Sequence, residues 1–566
     1  MNTFLKKLLS LVNPLILVKK KVKPFLRTGG LYFAVKLSSS GRKKHAGKNK
    51  RYTYAIVEIP SDKLNRFIIL PSAIDGTTEE IFLDEIIRHS LNEIFIGYNV
   101  EEVCSVKLTR DAELYIEDEF SGNLLEKVKK NLSKRNTGVP SRFLYDENIS
   151  KEFLGFLKES LSLSKQDLVP GARYHNFSDF FNFPFPDKNE HKYPRLKQIR
   201  HKDLSEDKNI FDVLKQKDIL LYFPYNSFEH VTDFFEKASS DNNVKEIKVT
   251  LYRVAKNSGI MSSLLKALEN GIKVTIFVEI KARFDEELNI EYAGKLEKAG
   301  AKILYSIPGL KVHAKLALVI KNENGELKKY CYLSTGNFNE KTSFIYTDFG
   351  LFTCDNRITE EAENLFNYLE FRDLKPQFKN LLTAQFNMKS SLINLIENEI
   401  ENSEKGIDAY ITLKLNSLED VKMISKLYEA SKKGVKINVI VRGVCCLVPG
   451  LKDISKNINV ISVVDRFLEH SRVYIFGNNN KPLVFLSSAD WMKRNLNRRI
   501  EVAFPVYDEN LKLTILDLVE IQLNDKVKAR MIDKEQVNKY NPDNFLADLP
   551  SQNKIYEYLK KIHSSE

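Results

Sequence analysis

Lys311-Val312-His313-Ala314-Lys315-Leu316-Ala317-Leu318 reads as one extended strand, so that His313 and Lys315 project to the same face, roughly 6–7 Å apart. Glu469-His470-Ser471-Arg472 repeats the histidine–x–cation pattern. A small polar loop follows each, Ser334-Thr335-Gly336-Asn337 and Ser487-Ser488-Ala489-Asp490. The elements before the histidines repeat too. A strand at 246–251, a helix at 262–270 and a strand at 274–279 precede the first; a strand at 411–413, a helix at 418–432 and a strand at 437–441 precede the second. Gly271-Ile272-Lys273-Val274 matches Gly434-Val435-Lys436-Ile437 at an offset of 163 (434 − 271). The histidines match at 157 (470 − 313), and Asn337 and Asp490 at 153 (490 − 337). An offset that drifts slowly through elements in the same order marks one duplicated α/β domain with small loop differences.

At 566 residues the chain exceeds a single core. We divide it into a head region at 1–200 and the two repeats at 201–380 and 381–566. In the head region, Tyr52-Thr53-Tyr54-Ala55-Ile56-Val57-Glu58-Ile59 reads as strand and 82–91 and 123–132 as helix. The basic residues Arg42, Lys43, Lys44, Lys48, Lys50 and Arg51 read as a solvated loop rather than a polyanion contact, and 182–194 as a linker. The 87 Lys+Arg against 75 Asp+Glu leave a net charge of +12, a mild excess that fits a phosphate-rich partner without requiring one. Cys104, Cys331, Cys354, Cys445 and Cys446 lack metal-type spacing and indicate a reducing compartment. The apolar run 8–18 is too short to span a bilayer and is interrupted by Asn13-Pro14, so the expectation is a soluble cytoplasmic protein, with peripheral membrane attachment left open.

A neutral imidazole can attack phosphorus, and a cation beside it can balance charge on the phosphoryl oxygens. Two such half-sites suit phosphoryl transfer. Gly336 allows close backbone approach, and Asn337 can orient a histidine or an oxygen. A lone histidine on a strand is more often a half-buried structural residue; the second copy in the same context argues for function. The other seven histidines lack that context.

The repeated His-x-Lys … Gly-x-Asn pattern resembles the phospholipase D superfamily. Longer strings resemble type 1 polyphosphate kinase: Thr250-Leu251-Tyr252-Arg253, Lys281-Ala282-Arg283-Phe284-Asp285, Ser334-Thr335-Gly336-Asn337-Phe338-Asn339-Glu340-Lys341-Thr342, Tyr346-Thr347-Asp348-Phe349-Gly350, Val441-Arg442-Gly443 and Ser488-Ala489-Asp490-Trp491-Met492. The resemblance implies an α+β head domain followed by two phospholipase D-like α/β domains. It implies reversible transfer of the ATP γ-phosphate to inorganic polyphosphate through a phosphohistidine, with Mg2+. By the same resemblance His313 is the nucleophile and His470 its acid–base or phosphate-binding partner. Tyr346 and Arg442 are nucleotide contacts, and Arg253 and Arg283 belong to the magnesium–phosphate site, holding phosphate oxygens since arginine offers a cation no lone pair. Lys315, Asn337, Lys341 and Arg472 are added on geometric grounds.

Two departures matter. Lipid-cleaving and nuclease relatives place an acid five residues after the lysine, where this chain has Ile320 and, in the second repeat, Gly477. The helical domain with which polyphosphate kinases usually begin is not recognisable, the one tryptophan being Trp491, which leaves nucleotide affinity and a homo-oligomer open. The expected partners are ATP and polyphosphate, not nucleic acid. The alternatives are another phosphodiesterase or phosphatidyltransferase of the superfamily, or a polyphosphate-binding protein without turnover.

Overall fold

The computed structural model describes residues 8–17, 26–40, 52–70, 77–110, 140–184, 192–205, 207–253, 255, 258–279, 286–305, 310–540 and 549–564. The helix expected at 123–132, the basic cluster at 42–51 and Arg283 lie outside them. The described residues form two units that divide between Pro194 and Arg195.

The first unit is built on a six-stranded sheet in the order Pro14–Leu17, Tyr52–Ile59, Leu31–Ser39, Tyr98–Arg110, Pro140–Asp146, Leu168–Gly171. The period-2 alternation of Leu31–Ser39 sends its side chains to two cores. Tyr32 and Ala34 pack with Phe153 and Leu157 of helix Lys151–Ser160, while Phe33, Val35 and Leu37 pack with Leu83 and Ile87 of helix Leu83–His89.

The second unit contains the duplication. In the first repeat the strands run Lys302–Tyr305, Lys273–Val278, Val244–Leu251, Lys315–Glu323, Glu326–Ser334, Tyr346–Thr353 across the sheet. In the second the order is Ile458–Val463, Lys436–Val441, Tyr410–Leu415, Arg472–Phe476, Leu483–Ser487, Val502–Pro505. Both have three parallel strands followed by antiparallel ones. The glycine shared by both repeats has a local cause. Gly271 (φ 76°) and Gly434 (φ 98°) turn the chain from helix to strand in the left-handed region, which any side chain would strain. The next residue then bonds back into the helix, Ile272 N to Ala267 O at 2.9 Å and Val435 N to Ala430 O at 3.1 Å.

The two repeats share one hydrophobic core. Leu318, Leu333 and Leu351 of the first belong to the same buried cluster as Val473, Leu486 and Phe504 of the second. That common core fixes the two histidine segments against each other.

Candidate active site

Neither histidine lies on an unbroken strand, which corrects the expected single strand at 311–318. The chain forms Lys311–Val312, then an irregular step at His313 and Ala314, then Lys315–Glu323. The N–H groups of His313 and Ala314 both donate to Ile500 O, at 2.8 and 3.0 Å, and this shared acceptor breaks the strand. Lys311–Val312 pairs in parallel with Arg499–Ile500 of the second repeat. The mirror event occurs on the other side, where Leu468–Glu469 pairs with Tyr346–Thr347 and Arg472 opens the next strand. Each histidine segment therefore pairs with the other repeat, Leu468–Glu469 at the edge of the first repeat's sheet and Lys311–Val312 in a separate two-stranded ladder with Arg499–Ile500. Lys315 Nζ turns back to donate to the carbonyl oxygen of His313.

The crossing gives each histidine a carboxylate from the opposite repeat. His313 Nδ1 lies 2.9 Å from Glu501 Oε2, and His470 Nδ1 lies 2.8 Å from Asp348 Oδ2. Glu501 and Asp348 occupy equivalent positions, at an offset of 153 (501 − 348). Each also accepts a hydroxyl from its own repeat's polar loop: Thr335 Oγ1 donates to Asp348 Oδ1 at 2.6 Å, and Ser488 Oγ donates to Glu501 Oε2. Asn495 Nδ2 closes the second oxygen of Glu501 at 2.9 Å. Gly336 is required by this packing, since a Cβ there would lie 2.2 Å from Asp348 Oδ2.

These contacts set the protonation pattern. Burial drives the His313 imidazole down to about 3 against the opposing pull of Glu501. Burial works the other way on Glu501, but the facing His313, Lys315 and Arg499 hold its carboxyl at about 2. A carboxylate can only accept, so the proton of neutral His313 sits on Nδ1 and Nε2 keeps its lone pair. Burial likewise lowers His470, and Asp348 stays below the ordinary carboxylate range despite its burial because His470, Thr335 and Arg472 face it.

The cations are not equivalent. Arg472 is paired bidentately with Asp490, Nη2–Oδ2 at 3.0 Å and Nε–Oδ1 at 3.3 Å, and its Nη1 reaches 3.3 Å from His470 Nε2. Lys315, only 3% exposed, has no carboxylate within ion-pair distance among the described residues, and burial pushes its ammonium far below the usual lysine range. The position matching Asp490 is the neutral Asn337, whose Oδ1 is buried without a hydrogen-bond partner. Arg442 Nε donates to Asn416 Oδ1 at 2.5 Å, and Asn416 Nδ2 in turn donates to His470 O at 2.9 Å. The Tyr346 ring lies 5.2 Å from that of His470, and the Tyr252 ring meets His313 edge-on at 4.7 Å, with Arg253 next in the chain. Lys341 stands exposed just before the turn Thr342–Phe344.

The structure thus brings together His313, His470, Lys315, Arg472, Tyr346, Arg442 and the Gly336-Asn337 loop. Sequence reasoning missed Asp348, Glu501, Tyr252 and Asn416 as parts of the site. The carboxylates carried a signal, because they share the 153-residue offset of Asn337 and Asp490.

Three family models tile the chain. "Polyphosphate kinase middle domain" matches residues 1–183, "Polyphosphate kinase C-terminal domain 1" matches 209–375, and "Polyphosphate kinase C-terminal domain 2" matches 381–552. The chain belongs to the polyphosphate kinase family. A polyphosphate kinase of Escherichia coli K12 is 45% identical over 520 residues, which cover 91% of this chain and 76% of that protein. One from Yersinia pestis is 44% identical over 547 residues, 96% of this chain and 78% of its own length. The crystal structure of polyphosphate kinase from Porphyromonas gingivalis superposes with a TM-score of 0.84 at 38% identity, covering 99% of this chain and 82% of that one. As a polyphosphate kinase, this chain is an enzyme that transfers phosphate between ATP and polyphosphate. No helix among its described residues is long and apolar enough to cross a membrane.

Proposed function

We propose that this polyphosphate kinase passes the phosphoryl group through His313. Nε2 attacks the γ-phosphorus of ATP, the bond from phosphorus to the β-bridging oxygen breaks, and ADP leaves. A terminal oxygen of polyphosphate then attacks the same phosphorus, the N–P bond breaks and the chain is one phosphate longer. Bonding at Nε2 while Nδ1 keeps its proton makes the ring cationic, and Glu501, 2.9 Å from Nδ1, carries the balancing charge. The ring then leaves as a neutral imidazole, which favours the second transfer and makes the sequence reversible. The observation that carries this reading is the buried Glu501–His313 pair.

Lys315 is the cation that gains a counter-ion when a phosphoryl group arrives, because Asn337 supplies none. Arg472, already paired with Asp490, serves His470, whose neutral ring, with Nδ1 held by Asp348, takes the proton of the attacking polyphosphate terminus on Nε2. Tyr346 and Arg442 line the nucleotide's approach beside His470, Arg253 and Arg283 take phosphate oxygens, and Lys341 meets the polyanion from the exposed turn. We keep 1–200, 201–380 and 381–566 as the functional division of the chain.

Among the described residues, magnesium fits this site through the nucleotide. Among the described residues no group of three or more His, Cys, Asp or Glu could hold a metal ion, and the carboxylates of the site already serve His313, His470 and Arg472. Carried in with the nucleotide, Mg2+ would supply charge neutralisation on the phosphates. We assign the enzyme to the cytoplasm, in keeping with five cysteines that are all free thiols.

Incubation with ATP and a short polyphosphate primer tests the reading. ADP and longer chains should form with wild type, and neither should form at more than about a thousandth of that rate with His313→Ala. Chain growth by His313→Ala at the wild-type rate would overturn it.

A further inference from the structure

Beneath His470 lies a buried, paired charge. Glu469, 4% exposed, faces Lys414 Nζ at 2.5 Å, Gln522 Nε2 at 2.9 Å and Thr347 Oγ1 at 3.0 Å through one oxygen, and Gln552 Nε2 at 2.6 Å through the other. Gln552 also brackets Phe467, two residues before Glu469, accepting from its N–H at 2.9 Å and donating to its carbonyl oxygen at 2.9 Å. The hydroxyl of Thr347 accepts from His470 N at 3.1 Å. Gln522 belongs to helix Glu509–Leu523 and Gln552 to the C-terminal helix Ser551–His563.

The first repeat supplies the comparison. At the positions equivalent to Glu469, Lys414 and Gln522 it carries Val312, Thr250 and Leu369, and the second repeat carries Ile500 where the first has Thr347; all four are buried and uncharged. A different arrangement holds the strand crossing at His313, where Val312 N donates to the buried Glu279 Oε2 at 3.0 Å. A buried ion pair costs on the order of several kcal/mol of desolvation per ion before its mutual attraction is counted, so the Lys414–Glu469 pair directly beneath His470 calls for a purpose there.

We propose that Gln552, acting with Glu469 and Lys414, is a positioning device for His470, through which the C-terminal helix sets the ring's place against Asp348. Every segment entering His470 is tied to it. Gln552 fixes the backbone two to three residues earlier in the chain, Glu469 orients the Thr347 hydroxyl that receives the His470 N–H, and Lys414 keeps Glu469 ionised. The inference rests on the reading of His470 given above.

The test uses the full chain in two forms. Gln552→Leu removes the amide at similar size. Lys414→Thr with Glu469→Val installs the residues of the first repeat and leaves no unpaired charge. Both should melt cooperatively, lower kcat at least tenfold, leave KM for ATP within about threefold, and shift the acid limb of the kcat profile to higher pH as His470 becomes more solvated. A kcat within twofold of wild type in either form overturns the proposal. So does a fall in kcat that merely follows the folded fraction, with an unchanged pH profile. Full turnover by His470→Ala would sink the reading of the site, whereas unchanged turnover by Gln552→Leu beside an inactive His470→Ala protein would sink this inference alone.

Discussion

Replacing Glu501 by Gln tests how the nucleophile is prepared. The two oxygens of Glu501 are surrounded only by donors: Asn495 Nδ2 at 2.9 Å on Oε1, and His313 Nδ1 at 2.9 Å with the Ser488 hydroxyl on Oε2. A glutamine offers one acceptor oxygen in their place. If that oxygen faces Asn495, the amide NH2 faces His313 and drives its proton from Nδ1 to Nε2, removing the attacking lone pair. If it faces His313, an N–H meets the N–H of Asn495 and the balancing charge is still lost. The lost charge-assisted bond alone is worth about 1.5–3 kcal/mol, or roughly 10- to 150-fold in rate. A forced tautomer extends the effect toward about 10⁴-fold, the loss seen when an orienting aspartate is made an amide in serine proteases. We expect Glu501→Gln to fall by about 10² to 10⁴ in the rate at which γ-labelled ATP marks the protein, followed by rapid quench at alkaline pH. Labelling within twofold of wild type would refute the argument that Glu501 sets the His313 tautomer.

Two further expectations follow from packing and burial. Gly336→Ala places a Cβ 2.2 Å from Asp348 Oδ2; displacement of that carboxylate should cost about 1–3 kcal/mol of stability and at least about tenfold in turnover, measured by thermal melting and ADP release, and a fully active, equally stable variant would contradict the close approach. His201, His230 and His563 form a buried cluster, with His201 N donating to His230 Nε2 at 3.0 Å and the His201 and His563 rings 4.4 Å apart. Burial holds them at about 3, 4 and 4, against 6.5 for an exposed imidazole. Between pH 6.5 and about 4 the unfolded chain therefore binds more protons than the folded one, so stability falls as pH falls. The unfolding midpoint should drop across that range, and more gently in His563→Phe; a flat midpoint in the wild type would count against the neutral cluster.

Much of the fold was legible because duplication is a long-range signal that survives in short strings. The shared glycines, histidines and polar loops are each forced by a local need: a left-handed turn, a crossing strand, a backbone that must approach a carboxylate. What could not be read was the exchange between repeats. The break at His313 and Ala314 depends on Ile500 O, which lies far along the chain, and periodicity around residue 313 is the same with or without it. For that reason the bond from Lys315 Nζ to the histidine's own carbonyl oxygen is not visible in the alternation. The carboxylates behind the histidines were hidden for the same reason, although their common offset pointed to them. Glu469 and Gln552 carried no pattern, because their partners come from strands and helices that only the shared core brings together.

The most direct measurement identifies the residue that carries phosphate. After brief exposure to γ-labelled ATP without primer, the protein is digested at alkaline pH and the labelled peptide sequenced. The account predicts acid-labile label on His313, none on His470, and its release to polyphosphate when primer is added. Label on His470, or polyphosphate made with no label on His313 at any time, would contradict it.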